Sequence, residues 1–194
     1  MRVLVVHAHP VETSYSAALK DITVDELAKA GHTVDVLSLY DEGFEAELSR
    51  EERLIYHDVP DNLTPAIAPY VERVYASDAV VFVYPVWNFG LPAILKGFFD
   101  RVFVPGVSFE MRGGKLVRTL PPKKKVAVVT TYGGTRWRAF LVGDPPRKVA
   151  TRVFWTVFQP PRPVQYLALY DMNNNAVPQL EAFKDRVRAA MAAF

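Results

Sequence analysis

The stretch that decides the fold covers residues 79–104 and reads AVVFVYPVWNFGLPAILKGFFDRVFV. Its start, Ala79–Tyr84, is an unbroken apolar run rich in valine and aromatic residues, which is typical of a strand buried on both faces. Pro85 cannot donate a hydrogen bond to a sheet, and Pro92 suits the first turn of a helix, so a loop lies between them. Apolar residues then recur at helical spacing as far as Val102. The stretch predicts a strand, a loop and a helix, with the loop at the strand end where open α/β sheets bind ligands.

The rest of the chain repeats this alternation of strands and helices. Four more strands are predicted at Val3–Val6, Thr33–Leu39, Val126–Thr130 and Val164–Tyr170. Helices are predicted at residues 17–31, from residue 49, from residue 65 or 69 to 76, at 147–158 and at 178–194. Residues 107–122 are predicted to be a loop, and residues 40–64 form an irregular segment for which a lid and a dimer arm both stay open.

This order of elements predicts an α/β fold, a doubly wound five-stranded parallel sheet with helices on both faces. The loops after the first, third and fourth strands should then converge on one cleft. With 194 residues, half of them hydrophobic, the chain can bury one full core, so we expect a single domain over residues 1–194.

Composition limits the chemistry and the partners. The absence of cysteine excludes disulfides, zinc–thiolate sites, iron–sulfur clusters and a cysteine nucleophile. A net charge of +2 gives no electrostatic case for binding nucleic acid, and the one basic run, Lys123–Lys125, is interpreted as the solvated start of a strand. No stretch is long enough to span a bilayer, and the apolar run after Met1 is too short for a signal peptide. We therefore expect a cytoplasmic protein without a membrane span.

The loop after the first strand offers hydroxyl groups to an anion. It contains neither the G-x-G-x-x-G nor the P-loop motif, but Thr13, Ser14 and Ser16 stand at the start of a helix. Free amides and the helix dipole favour an anion there, and the hydroxyls add donors for a phosphate. The alternative is that these residues only cap the helix. A second, aromatic loop at the neighbouring strand end favours the phosphate site.

His7 and His9 need a separate interpretation, because an H-x-H pair can bind a metal. His-Pro followed by an acid also resembles zinc deacetylases of the N-acetylglucosaminyl type, but Val11 stands where those enzymes carry the first of two acids. A third ligand would have to be His32 or His57, which fall in a predicted turn and an exposed helix. We therefore expect no metal, keep a zinc-dependent hydrolase as the weaker alternative, and assign His9 to a phosphate or a ribose.

Two loops at strand ends combine aromatic rings with free backbone amides. Trp87 and Phe89 follow the central strand, and the Gly133–Gly134 pair follows the fourth strand. Successive N–H groups in such loops can hydrogen-bond the polar edge of a ring held against the aromatic faces, and they stabilise negative charge that develops on it. A phosphate at a helix N-terminus, together with a polar-edged ring between two loops, is what a flavin requires.

The same residues carry a family resemblance that spans nearly the whole chain. Residues 84–103, YPVWNFGLPAILKGFFDRVF, are similar almost residue for residue to the flavin loop and following helix of the flavodoxin-like NAD(P)H:quinone oxidoreductases of the DT-diaphorase or modulator-of-drug-activity type. The segment 8–16 is similar to the phosphate loop of that family, and residues 130–134 to its second flavin loop.

The resemblance assigns two sets of cofactor-binding residues. The set for the phosphates and the neighbouring ribose or adenosine is His9, Thr13, Ser14, Tyr15 and Ser16. The set for the isoalloxazine ring is Pro85, Val86, Trp87, Asn88, Phe89, Thr131, Tyr132, Gly133 and Gly134.

One departure from the family concerns proton transfer. The larger members carry a Tyr and a His after the glycine pair, assigned to proton handling during hydride transfer, and residues 135–144 contain neither. Tyr132 is instead inserted before the glycines. The catalytic side chain is therefore left unassigned: the reacting atom is flavin N5, and its candidate helpers are Tyr132, Gly133 and Gly134.

The resemblance implies an NAD(P)H-dependent flavoprotein oxidoreductase that reduces quinones or similar acceptors by two electrons, as hydride, in a ping-pong mechanism. It implies FAD as the cofactor, with FMN the alternative, NAD(P)H as co-substrate, and a homodimer. A flavin-binding regulatory or electron-carrier subunit with little turnover is the second hypothesis, because the Tyr and His are missing. Arg136 and Arg138 are candidates for contact with a nucleotide phosphate. The choice between NADH and NADPH stays open.

Overall fold

A five-stranded parallel sheet forms the centre of the computed structural model, which describes all residues 1–194. In chain order the strands are β1 (Arg2–His7), β2 (Thr33–Ser38), β3 (Ala79–Val86), β4 (Phe109–Arg112), β5 (Lys115–Arg118), β6 (Lys125–Tyr132) and β7 (Gln165–Leu169). The sheet has the order β2-β1-β3-β6-β7, and every neighbouring pair is parallel. The strand order reverses between β1 and β3, which is where sheets of this kind open a crevice for ligands.

Helices cover both faces of the sheet. They are α1 (Tyr15–Lys29), α2 (Arg50–Leu54), α3 (Ala68–Ala76), α4 (Ala93–Val102), α5 (Arg136–Leu141), α6 (Pro145–Lys148), α7 (Phe154–Phe158) and α8 (Val177–Ala192), with a π-helical turn at Val149–Val153 and a 3-10 turn at Met172–Asn174. Apolar side chains of α1 and α8 pack on one face, and those of α3, α4 and α7 on the other. The predicted doubly wound fold is confirmed. None of the helices has the length and apolar character needed to cross a membrane.

Strand β3 is longer than predicted, because Pro85 does not end it. The strand continues to Val86, and Pro85 is paired in register with Thr131 of β6. The carbonyl of Val83 accepts a hydrogen bond from the Ala8 amide, so this side of β3 faces β1. Alternate residues of a parallel strand point to the same neighbour, so Pro85 also faces the β1 side, where β1 has already ended at His7. The missing N–H of Pro85 therefore interrupts no pairing.

Two short elements were not predicted from the sequence. Residues 107–122, predicted to be a loop, contain the antiparallel hairpin of β4 and β5. Its turn is formed by Gly113 and Gly114, with φ of 58° and 74°, and a Gly-Gly pair between strands is a known signal for such a turn. Helix α5 follows the second glycine pair directly, and its N-cap residue is Thr135, whose hydroxyl accepts a hydrogen bond from the Arg138 amide.

The interpretation of Lys123–Lys125 as a solvated run is wrong for its first residue. Lys123 is only 2% exposed, and its Nζ donates to the carbonyls of Val74 and Ser77, each at 2.6 Å. Burial lowers the pKa of Lys123 to about 8. Its ammonium group therefore ties the end of α3 to the start of β6.

The irregular segment 40–64 packs against α4. Arg101 of α4 is buried, and its guanidinium forms a two-pronged ion pair with Glu52 and donates to the carbonyl of Glu45. Burial alone would raise the pKa of the Glu52 carboxyl, but the bonds from Arg101 and from the Ser49 amide hold that pKa below its usual value. The Phe44 ring adds an edge contact with Phe98, at 5.7 Å between centroids. The segment is thus anchored to α4 by a buried charge pair and by an aromatic contact.

Candidate functional site

The first loop places free amides at the N-terminus of α1. Ser14 is the N-cap residue, and its Oγ accepts from the Ala17 amide at 3.1 Å. Tyr15 and Ser16 are the first two helical residues, so their N–H groups have no carbonyl within the helix to bond. The Ser16 Oγ is buried and has no hydrogen-bond partner in the protein. The loop therefore holds two free amides and one unpartnered hydroxyl at the positive end of a helix.

Two hydroxyls of the same set have protein partners. The Ser14 Oγ is used by the cap, as the alternative interpretation expected. The Tyr15 hydroxyl donates to the Leu180 carbonyl of α8 at 2.6 Å, and burial raises the pKa of Tyr15 to about 12. The Thr13 side chain is exposed at the loop surface. The side chains of Thr13 and Ser16 thus remain available to a ligand, and Tyr15 offers its backbone amide, whereas the Ser14 amide donates to the Val11 carbonyl at 3.2 Å.

His9 joins the first loop to the loop after β3. Its Nδ1 accepts a hydrogen bond from the Val11 amide at 3.0 Å, and a nitrogen that accepts carries no hydrogen, so the ring hydrogen sits on Nε2. The imidazole lies 5.8 Å from the Trp87 ring, centroid to centroid. His9 therefore presents an N–H donor beside the aromatic loop.

The histidines do not form the metal site that the zinc alternative requires. The His7 imidazole is 3% exposed and shares a hydrogen bond of 3.1 Å with Ser38 Oγ, and burial lowers its pKa to about 4. His32 lies at the opposite edge of the sheet, near the N-terminus and the Phe194 carbonyl. The His57 ring makes an edge contact with the Tyr56 ring, at 5.1 Å between centroids. No three His, Asp or Glu side chains come together as metal ligands, so the pair of His7 and His9 lacks a third ligand.

The loop after β3 is held in a strained conformation. Asn88 and Phe89 have φ of 47° and 54°, a left-handed region that non-glycine residues rarely adopt. Trp87 and Gly90 fix this turn by exchanging backbone hydrogen bonds of 3.2 and 2.8 Å, which leaves the amides of Asn88 and Phe89 free. The side chains of Trp87 and Phe89 are 41% and 42% exposed. Large apolar rings on a strained loop are a feature of ligand sites rather than of a core.

The glycine loop after β6 forms the opposite wall of a cleft. The cleft has a volume of about 200 Å³, and its lining residues are Val86, Asn88, Phe89, Tyr132, Gly133, Gly134, Thr135 and Ala139. Asp171 fixes the loop by donating its amide to the Gly134 carbonyl at 2.8 Å. A Cβ on Gly133 would come within 3.1 Å of Asn173 Nδ2, so a larger residue would press on that side chain. The three loops expected to converge do so: His9 meets Trp87, and the β3 loop faces the glycine pair.

The side chain of Tyr132 differs from its expected role as a helper in proton transfer. Its hydroxyl donates to Asp144 Oδ1 at 2.7 Å and lies 2.5 Å from the Tyr166 hydroxyl, and the ring stacks on Tyr170. Burial and the hydrogen bond with Tyr166 raise the pKa of Tyr132 far above its ordinary value. This phenol is hydrogen-bonded to protein partners, so it fixes the start of the glycine loop.

Sequence reasoning missed the partners of Tyr132. Asp144 lies in a left-handed conformation with φ of 45°, and its second oxygen accepts from the Tyr170 hydroxyl at 3.1 Å. The partners come from two segments, Asp144 at the start of α6 and the tyrosines at β7, which are 12 or more residues from Tyr132, so no local motif marks them. The alternation of side chains along the strands was the available signal. Val128 and Tyr132 point to the same face of β6, and Tyr166 pairs in register with Val128, so the side chain of Tyr166 points to that face too.

A doubly wound parallel sheet whose strand-end loops form one cleft defines the flavodoxin-like class of α/β protein. A family model described as "Flavodoxin-like fold" matches residues 1–190, and the chain belongs to this family.

Two groups of relatives make the comparison more specific. The chain is 33% identical over 149 residues to ribosyldihydronicotinamide dehydrogenase [quinone] of Pongo abelii, covering 69% of this chain and 64% of that protein. It is 32% identical to NAD(P)H dehydrogenase [quinone] 1 of Rattus norvegicus, covering 68% and 54%. The chain thus spans less than two thirds of the length of these curated relatives.

Among solved structures, Smu.1420 from Streptococcus mutans UA159 is 27% identical with a TM-score of 0.86, covering 100% of both chains. The NAD(P)H:quinone oxidoreductase from Methanothermobacter marburgensis is 27% identical with a TM-score of 0.86, covering 99% of this chain and 98% of that one. The resemblance to the quinone oxidoreductase family is confirmed by these matches.

Proposed function

We propose that the chain is a flavin-dependent oxidoreductase that transfers two electrons from NAD(P)H to a quinone or a similar acceptor. The observation that carries the proposal is the cleft between the strained β3 loop and the glycine loop, with exposed rings and free amides on facing walls. The names of the relatives support it, since they are dehydrogenases with quinone as acceptor. The remaining question is whether these residues fit a flavin.

Three features of the site support a flavin. The Trp87 and Phe89 rings are exposed on one wall, where a flat heterocycle can lie against them. The amides of Asn88 and Phe89 are free to donate to its polar edge. The buried Ser16 Oγ and the first amides of α1 have no protein partner, and a flavin phosphate would supply one. When bound, the flavin supplies the redox chemistry, because its ring takes up a hydride from NAD(P)H and releases one to an acceptor.

The protein's part in this chemistry is to bind, orient and exclude water. Amides of the β3 loop and the glycine loop would stabilise negative charge at the polar edge of the ring. The acceptor gains one hydride and one proton on becoming a hydroquinone. Because the Tyr132 hydroxyl is bonded to Asp144 and Tyr166, we assign that proton to water at the open mouth of the cleft.

For the flavin we propose FAD, with FMN the alternative. After Ser14 and Tyr15 are used, the first loop still offers Thr13, Ser16 and the His9 Nε2–H, more donors than the amides alone would give a single phosphate. The test is the visible absorption spectrum of the purified protein, followed by chromatography of the released chromophore. Recovery of about one FAD per chain supports the proposal. Recovery of FMN instead would change the identity of the flavin and leave the proposed function standing. A colourless protein that takes up neither flavin overturns the proposed function.

Kinetics separate the enzyme from an electron-carrier subunit. Since both substrates would use one cleft in turn, initial rates with NAD(P)H and menadione should give parallel double-reciprocal lines. Intersecting lines would contradict the ping-pong order. A flavin-loaded protein with negligible turnover would favour the carrier.

We further propose a homodimer, supported by an apolar groove on the side of the molecule that carries α4 and α7. The groove has a volume of about 550 Å³ and is lined mostly by apolar residues, including Leu91, Phe99, Phe103, Phe109, Val149, Val153, Phe154 and Val157. Val153 is 48% exposed at its rim, and Trp155 nearby is 47% exposed. Large exposed apolar patches on a protein surface mark sites of contact with a partner.

A further inference from the structure

A second cleft, on the far side of α5 from the proposed flavin site, gathers positive charge. It has a volume of about 380 Å³, and its lining includes Arg136, Phe140, Asp144, Arg147, Lys148 and Arg152. None of the four cationic side chains forms an ion pair or donates a side-chain hydrogen bond within the protein. The single carboxylate, Asp144, is already bonded to two tyrosine hydroxyls. We name this region the cation cleft.

Three of these cations come from one continuous helical stretch that contains a π-helical turn. Arg147 and Lys148 end α6, and Arg152 lies within the turn at Val149–Val153. Arg152 follows Lys148 by four residues and Arg147 by five, about one helical turn, and all three side chains line the same cleft. π-Helical turns cost stability and are frequent at functional sites. Four like charges held close together also repel each other, and an anion would relieve that repulsion.

The cation cleft and the proposed flavin cleft share α5 as a wall. Thr135 and Ala139 line the flavin cleft, whereas Arg136 and Phe140 line the cation cleft. Helix α5 has six residues, so it is about 9 Å long at 1.5 Å rise per residue. A dinucleotide is long enough to place one end in each cleft.

An aromatic platform borders the cation cleft. Trp137 and Phe140 stack with 5.5 Å between centroids and an interplanar angle of 23°. Their side chains are 64% and 67% exposed, although both rings are large and apolar. Exposed aromatic faces beside unpaired arginines are suited to a purine ring that carries a phosphate.

We propose that the cation cleft binds the adenosine 2′-phosphate half of NADPH and makes the protein selective for NADPH over NADH. The assignment rests on the proposed function, because the nicotinamide end must reach the flavin cleft. Arg136, nearest the flavin cleft, pairs with the pyrophosphate that both nucleotides carry. Arg147, Lys148 and Arg152 pair with the 2′-phosphate, which only NADPH carries.

Binding without turnover is the first test. Calorimetric titration of the purified protein with adenosine 2′,5′-bisphosphate and with 5′-AMP at low salt should show the bisphosphate binding about tenfold tighter or more, since charge-assisted bonds to the extra phosphate are the stronger kind. The double variant Arg147→Gln/Arg152→Gln should lose this difference, and Lys148→Gln should lose part of it. Arg162→Gln, an exposed arginine outside the cleft, is the matched control and should behave as the parent protein does.

The second readout is the ratio of kcat/KM for NADPH to that for NADH, which should fall about tenfold in the double variant through the KM for NADPH. Equal binding of the two probes by the parent protein, or the same loss in Arg162→Gln, overturns the proposal. A protein that binds the bisphosphate through these residues but oxidises neither nucleotide would instead overturn the proposed function and leave the phosphate site standing. A protein that turns over NADH and NADPH equally well would overturn the proposed selectivity for NADPH and leave the proposed function standing.

Discussion

His7 carries a pH dependence of stability that follows from its burial. Its pKa is lowered from 6.5 to about 4, first by desolvation and then by electrostatic interaction with Lys20. As the pH falls from 6.5 to 4, His7 becomes protonated in the unfolded chain but stays largely neutral in the folded protein. The free energy of unfolding therefore decreases. The expected loss at this residue is about 2–3 kcal/mol across that range.

Denaturant unfolding at several pH values measures this effect. His7→Gln removes the titrating group, so its stability curve between pH 6.5 and 4 should be flatter than that of the parent protein by that amount. His32→Gln removes a partly exposed histidine and serves as the control. If His7→Gln leaves the slope unchanged, the imidazole is not kept neutral in the folded protein.

Tyr132 allows a structural role to be distinguished from a catalytic one. In Tyr132→Phe, Asp144 loses one of its two phenol donors and Tyr166 loses its partner. We expect the free energy of unfolding to fall by about 1–3 kcal/mol, the usual cost of leaving buried polar groups without partners. The pH profile of kcat should keep its shape, because the hydroxyl delivers no proton. Loss of one limb of that profile would restore Tyr132 as a proton donor.

At the scale of elements, one buried ion pair holds the segment 40–64 on α4. The side chains of Arg101 and Glu52 are 6% and 11% exposed, whereas the next pair on the same helix, Lys96 and Asp100, is 62% and 44% exposed. Arg101→Met leaves the Glu52 charge buried and unpaired, and we expect it to cost about 3–5 kcal/mol. Lys96→Met is the matched control and should cost less than about 1 kcal/mol.

Thermal and denaturant unfolding measure both variants. Adding Glu52→Gln to Arg101→Met should recover part of the lost stability, because the orphaned charge is then removed. Equal losses for Arg101→Met and Lys96→Met would mean that burial does not strengthen the inner pair. No recovery in the double variant would mean that packing of the arginine stem, and not charge, anchors the segment.

Most elements with a strong local signal were predicted, although the hairpin of β4 and β5 was missed despite the Gly113–Gly114 turn. The strands that are buried on both faces were predicted from their unbroken apolar runs, and the helices from the helical spacing of their apolar residues. The end of β3 was misjudged because the harmlessness of Pro85 depends on where β1 ends, which only the assembled sheet fixes. Gly97 is similar: a Cβ there would come within 2.1 Å of the Ala46 carbonyl oxygen, a contact between segments far apart in sequence.

At the scale of the whole molecule, the sequence located the site better than it assigned roles within it. The two loops around Trp87 and Gly133 could be placed together because parallel strands end at the same edge. The cluster around Tyr132 and the cation cleft could not be placed, since each joins segments that meet only after folding. Lys123 was predicted to be solvated but is buried, for the same reason. Its two carbonyl partners lie at the end of α3, far from it in sequence.

Assembly is the property of the whole molecule that the apolar groove should decide. If a second copy covers the groove, Val153→Asp places a charge in that contact, and the protein should change from a dimer to a monomer of 21.8 kDa in light scattering. Val177→Asp is the control, because Val177 is 69% exposed at the start of α8, away from the groove. A parent protein that is already monomeric would refute the dimer. A Val153→Asp protein that stays dimeric would show that the dimer interface lies outside the groove.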